Sequence, residues 1–122
     1  MQNKLSLPNN DVIFDQIREL KNEENEEDRP SVYAYDRIVT LLHAVANEFK
    51  IQFPAASVTT ASNGIRVSWR QDVREIRLII GESGANKSYI YWREYDRSDI
   101  NPADEQSLYF CVNWLLNPTK LQ

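Results

Sequence analysis

Hydrophobic residues change their period at Pro54. Upstream, Ile38, Leu42, Val45 and Phe49 recur at helical spacing and are joined by Tyr35, Val39, Leu41 and Ala46, a wide apolar stripe of the sort that faces a sheet. Downstream, from Ala56 to Tyr95, the period is two. Proline lacks an N–H and restricts the residue before it, so the helix over 31–50 cannot run through Pro54.

The second half reads as hairpins. Ser57 to Ala61 is a short strand and Ser62-Asn63-Gly64 a tight turn, after which Ile65, Val67 and Trp69 alternate with Arg66, Ser68 and Arg70. A second turn falls near Gln71-Asp72, and Ile76, Leu78 and Ile80 then alternate with Arg77 and Ile79. Beyond GESGANKS, Ile90 and Trp92 alternate with Tyr89, Tyr91 and Arg93. The pattern predicts a four-stranded antiparallel meander over 56–95.

Helices flank it. Ile13, Ile17 and Leu20 mark a first helix over 7–24, with Asn9, Asn10 and Asp11 as candidate caps. Its stripe is narrow, so it packs loosely or swaps onto a neighbouring chain. The run over 25–30 carries no hydrophobe and repels itself, which reads as a solvated acidic linker. A last helix is expected over 101–117, capped by Asn101, with Pro102 at its first position and Asp104 and Glu105 in its first turn. The expected fold is a single α+β domain over 1–122, with two N-terminal helices and one C-terminal helix, the second and last helices covering one sheet face.

GESGANKS, over 81–88, departs by one residue from the phosphate-cradling loop G-x-x-x-x-G-K-[ST]. Such a loop works because its backbone N–H groups and the N-terminus of a following helix converge on the phosphates. YIYWREY follows here, and its alternating aromatic and β-branched residues make a strand. Lys87 therefore stands at a strand entrance, and Gly81, Gly84 and Asn86 read as turn residues that tolerate positive φ. No nucleotide or other cofactor is expected.

Other chemistry is sparse. His43, the single histidine, lies off the apolar stripe beside Asp36, Thr40 and Asn47 and reads as a solvent-facing residue. Cys111, the single cysteine, falls in an apolar helix, which suits a buried thiol and a reducing compartment. Asp96, Asp99 and Asp104 lack the spacing of a calcium loop, and no metal site is expected. The N-terminus lacks the apolar core of a signal peptide and no run approaches the length that spans a bilayer, so a cytoplasmic chain without membrane contact is expected. No nucleophile, base and oxyanion set emerges, which leaves an enzyme the least supported class.

Two surfaces remain. The sheet face opposite the helices is expected to carry Arg66, Arg70, Arg77, Ile79, Tyr89, Tyr91, Arg93 and Tyr95. Residues 62–97 hold seven Lys and Arg against five Asp and Glu, +2 in a chain of net charge -4, so the rest carries -6. An Arg and Tyr lattice can stack single-stranded bases, serve as a protein hot spot, or simply make a solvated face cohesive through cross-strand pairs. The second surface is Phe110 with Trp114 on the last helix, an apolar edge beside the Leu108, Cys111, Val112 and Leu115 stripe, available to the first helix or to another copy.

The stretch SNGIRVSWRQDVREIRLIIGESG, with the later YIYW, resembles small uncharacterised bacterial α+β proteins that carry a Gly-Ile-x-x-x-Trp hairpin. The resemblance covers the middle of the chain, implies a fold and carries no activity with it. The expected role is a small non-enzymatic interaction protein, a homo-oligomer (dimer) or the partner of another protein. The net charge ranks protein contact above nucleic acid. A single-stranded nucleic-acid binder is the alternative, and a small-ligand binder or enzyme with its pocket between sheet and helices is the third.

Overall fold

The computed structural model describes residues 9–85 and 87–117. Among them run three α-helices, α1 (Asp11–Glu19), α2 (Val32–Phe49) and α3 (Glu105–Leu116). The strands are β1 (Ser57–Ala61), β2 (Gly64–Gln71), β3 (Arg74–Ile80), β4 (Tyr89–Glu94) and β5 (Arg97–Pro102). They form one antiparallel sheet in chain order, α+β as the change of period requires, but with five strands where alternation indicates four.

The extra strand, β5, carries no inward row of hydrophobes. Its Asp99 and Asn101 stand opposite Trp92 and Ile90, and it is held mainly by its backbone ladder with β4. Asn101 and Pro102 therefore end a strand and do not open the last helix, a position on an edge strand where a missing N–H is tolerated. The helix cap is Asp104, whose carboxylate accepts the Ser107 N–H at 2.8 Å, so α3 begins at Glu105.

Ile65, Val67, Trp69, Ile76, Leu78, Ile80 and Ile90 line the inner face and are buried with Ile38, Leu41, Leu42 and Val45 of α2 and Leu108, Val112 and Leu115 of α3. Trp69 shows how its strand is tied down. Its indole N–H donates to the Pro54 carbonyl at 3.0 Å, which satisfies the one polar atom of a fully buried side chain.

The first helix is shorter than 7–24. α1 stops at Glu19 and tightens into a 3-10 turn over Leu20–Asn22; residues 7 and 8 lie outside the described residues. It packs on its own chain, burying Ile13, Ile17 and Leu20. The Asn10 amide donates to Ile51 O at 3.2 Å and accepts from Phe53 N at 2.7 Å, and Gln16 donates to Ala56 O at 3.1 Å.

The acidic run is likewise organised where a solvated linker is expected. Its side chains face water, which relieves their repulsion, while its carbonyls are gathered by a single amide. Asn63 Nδ2 lies 3.3, 3.1 and 2.6 Å from the carbonyls of Glu26, Glu27 and Arg29, and Thr60 donates to Asp28 O at 2.7 Å. Asn63 reaches them from the β1–β2 turn, where Ser62 and Asn63 take φ of 53° and 64°, the pattern of a two-residue type I′ hairpin. Gly64 is needed for a different reason: a Cβ there would meet the Ile80 carbonyl oxygen at 2.5 Å.

Candidate functional site

The outer face of the sheet is built by register. Three rows cross it: Arg66, Ile79, Tyr89 and Pro102; Ser68, Arg77, Tyr91 and Ile100; Arg70, Glu75, Arg93 and Ser98. The face thus brings together Arg66, Arg70, Arg77, Ile79, Tyr89, Tyr91 and Arg93. Tyr95 does not join them, because it stands in the β4–β5 turn at φ 57°. Ile100 and Pro102 join in its place, from the strand that alternation does not reveal.

Read across the strands, Arg66 on β2, Arg77 on β3 and Arg93 on β4 step one row per strand and form a diagonal. With strands about 4.8 Å apart and alternate residues about 6.8 Å apart, neighbouring arginines on it are spaced by about 8 Å. On one side of the diagonal lie Ile79, Tyr89, Tyr91, Ile100 and Pro102, and on the other Ser68, Arg70 and Glu75.

Glu75 is the site residue that sequence reasoning misses. It is nearly buried in the middle of the arginines, its Oε2 2.8 Å from Arg77 Nε and its Oε1 3.6 Å from Arg93, without a hydrogen bond. Arg77 also lies 5.4 Å from the Tyr91 ring centroid. Two of the four arginines are therefore partly neutralised at home, while Arg66 and Arg70 make no ion pair among the described residues. Four arginines against one carboxylate leave the face at +3. The signal in the sequence was the position of Glu75, which shares the outward phase of Arg77 and Ile79.

The second surface lies across the sheet, where β5 extends past the helix layer. Between α3 and the inner side of β4 and β5 is a hollow of about 300 Å³, walled by Trp92, Phe110, Cys111 and Trp114 and rimmed by Arg97, Asp99 and Asn101. Phe110 and Trp114, expected to share an edge, diverge. Phe110 is 72 % exposed at the lip, whereas Trp114 turns inward against Trp92, ring centroids 5.4 Å apart.

Arg74, only 6 % exposed, holds Trp114 in place. Its guanidinium lies 4.5 Å from the centroid of that ring, donates to the Trp114 carbonyl at 2.6 Å and to Glu94 Oε2 at 3.1 Å, and so caps the negative end of α3. Glu94 also binds Arg97 at 3.2 Å.

The free edge of β5 is blunted. Arg97 and Asp99 are charged, Pro102 offers no donor, and the Ile100 N–H donates to the Asp99 carboxylate at 2.8 Å.

Gly81–Ser88 connects β3 to β4, closed by the Gly81 N–H donating to Ser88 Oγ at 3.1 Å. A strand, not a helix, follows Lys87, so no helix N-terminus is available to phosphate there. Gly81 and Gly84 lie in the β3–β4 connection, Gly84 within a turn, but neither takes the positive φ that glycine tolerates, and Asn86 lies outside the described residues. Burial pushes the Cys111 thiol up to about 11, which favours its protonated form. His43 is solvent-facing but not alone: its ring stacks on Phe14, centroids 4.1 Å apart, joining α2 to α1. Among the described residues, no three His, Cys, Asp or Glu side chains group to hold a metal ion, and no helix is long and apolar enough to cross a membrane. No family model, curated protein or solved structure matches the chain.

Proposed function

We propose that this chain is a non-enzymatic interaction protein that self-associates through the α3 side and keeps its open sheet face for another protein. The observation that carries the reading is Phe110, a phenyl ring left in water at the lip of a hollow walled by Trp92 and Trp114. Burying such a ring is worth about 1.5–3 kcal/mol, and a cavity of about 150 Å³ already accommodates benzene. A second copy supplies the ring. A two-fold axis near the lip lets each Phe110 enter the hollow of the other copy, a self-complementary contact.

Charge favours a copy on this side. Arg97 and Asp99 share the rim, so the surface is neutral and a two-fold contact sets Arg97 against Asp99 of the second copy. At +3, the open sheet face repels its own image. Strand addition through β5 is disfavoured by its blunted edge, and the helix side offers the exposed Phe110 ring as the contact.

Light scattering of the purified chain should report a mass above the 14.3 kDa monomer that rises with concentration, while Phe110→Ser stays at the monomer mass. A wild-type chain that remains monomeric throughout, or a variant that associates as the wild type does, refutes the reading.

A further inference from the structure

We infer that the open sheet face binds an acidic, extended polypeptide segment, its carboxylates on the Arg66–Arg77–Arg93 diagonal and its apolar residues on Ile79, Tyr91 and Ile100. The inference rests on the chain being an interaction protein but not on self-association, because the face lies on the opposite side of the sheet from α3.

Four features select this occupant. The face is +3 in a chain of net charge -4, so an anionic partner is drawn to it against the overall charge. The diagonal spacing of about 8 Å suits an extended peptide, whose alternate side chains stand about 7 Å apart, better than a helix, whose facing neighbours are about 5–6 Å apart. The apolar half is contiguous with the cationic half, and Ile100, 60 % exposed at the end of the Ser68, Arg77 and Tyr91 row, also borders the hollow beside α3 through the edge strand. Tyr, Arg and Ile in one patch is also the composition from which protein contacts draw their energy.

Glu75 distinguishes a peptide from a nucleic-acid strand. Its Oε1 is shielded from water and accepts no hydrogen bond. Beneath a bound peptide Glu75 stays paired with Arg77 and Arg93, while the acidic side chains engage Arg66 and the outward sides of the other two arginines. A phosphodiester backbone is charged at every repeat and must set phosphate beside Glu75, whereas a peptide carries its charges at separate residues and can set a neutral one there.

The test titrates the full chain into a labelled peptide in which Glu alternates with Leu and Tyr, read by fluorescence anisotropy. Binding should saturate, weaken with added salt, and vanish for the peptide with Gln in place of Glu. Arg66→Glu, at an exposed position clear of the core, should weaken it by about ten-fold or more, and Ile100→Ser by a few-fold. The monomeric Phe110→Ser chain should bind the peptide as the wild type does, which separates this site from the dimer contact. Absence of saturable binding, equal binding of the Gln peptide, indifference to Arg66→Glu, or loss in Phe110→Ser overturns the assignment. So does a labelled oligothymidylate that binds as tightly as the peptide, since the face would then be a general polyanion site.

Discussion

Replacing Arg74 by methionine keeps the apolar stem of the side chain and removes the guanidinium that joins β3, β4 and the end of α3. Three interactions go. The bond to the Trp114 carbonyl at 2.6 Å is charge-assisted and shielded from water, the class worth about 1.5–3 kcal/mol. The cation–π contact at 4.5 Å adds about 1 kcal/mol in a partly desolvated setting. The pair with Glu94 at 3.1 Å is less costly to break than a fully buried one, because Glu94 keeps Arg97 at 3.2 Å. These terms overlap, and removing a buried charge refunds its desolvation, so the net loss expected is about 3 kcal/mol. For 122 residues that lowers the melting temperature by on the order of 10 °C. Urea unfolding followed by circular dichroism and by tryptophan emission measures it, Trp92 and Trp114 reporting on the site itself. A cycle with Glu94→Gln should give a coupling of about 1–2 kcal/mol between the two positions. A loss below about 0.5 kcal/mol with no coupling would mean that Arg74 is solvated and that α3 is held by its apolar stripe alone.

Gly64→Ala should cost about 1–3 kcal/mol in denaturant unfolding, because the new methyl meets the Ile80 carbonyl oxygen at 2.5 Å and that oxygen is fixed where Ile65 pairs with Ile80; a neutral result would show that the β2–β3 ladder yields there. Asn63→Ala should cost about 2 kcal/mol and open the acidic segment to limited proteolysis, since it loses both the amide that gathers the carbonyls of Glu26, Glu27 and Arg29 and a residue that tolerates φ of 64°. Asn63→Gly keeps the backbone freedom and should lose less stability while opening the segment equally; protection of the segment in both variants would refute the tether. Cys111 ionises at about 11 when folded against an ordinary 9.0, so between those values the unfolded chain releases a proton that the folded chain keeps, and stability falls as pH rises. The fall should reach about 2 kcal/mol near pH 11 and be absent from Cys111→Ala, compared by urea unfolding across that range; equal slopes in the two proteins would place the thiol in solvent.

What the sequence disclosed and what it withheld divide along one physical line. Ile38, Leu42 and Val45, like Val67, Leu78 and Ile90, announce their elements because burial repeats at the period of the backbone, and the structure buries each of them. The arginines of the open face were legible for the same reason, being the complementary phase of buried strands. β5 was not, because a strand held by its ladder, with Asp99 and Asn101 on its inner side, has no reason to alternate in hydrophobicity. Its local signal, Asn-Pro before acidic residues, belongs equally to a helix start, and pairing with β4 decided between them.

The polar residues that organise the site were the least legible. Asn63, Arg74 and Glu94 act through partners 20 to 40 positions away, and Glu75 acts through Arg93 on a neighbouring strand. A single side chain gives no sign of such a distant acceptor. Their effect is nevertheless what turns a pattern into a surface: Arg74 draws Trp114 inward and leaves Phe110 exposed by itself, and Glu75 gives an otherwise cationic lattice one buried acceptor. A lattice of arginine alone would suit any polyanion. With Glu75 in its midst, the best occupant is an anion whose charges are separated by neutral residues, which an acidic polypeptide is and a phosphodiester strand is not.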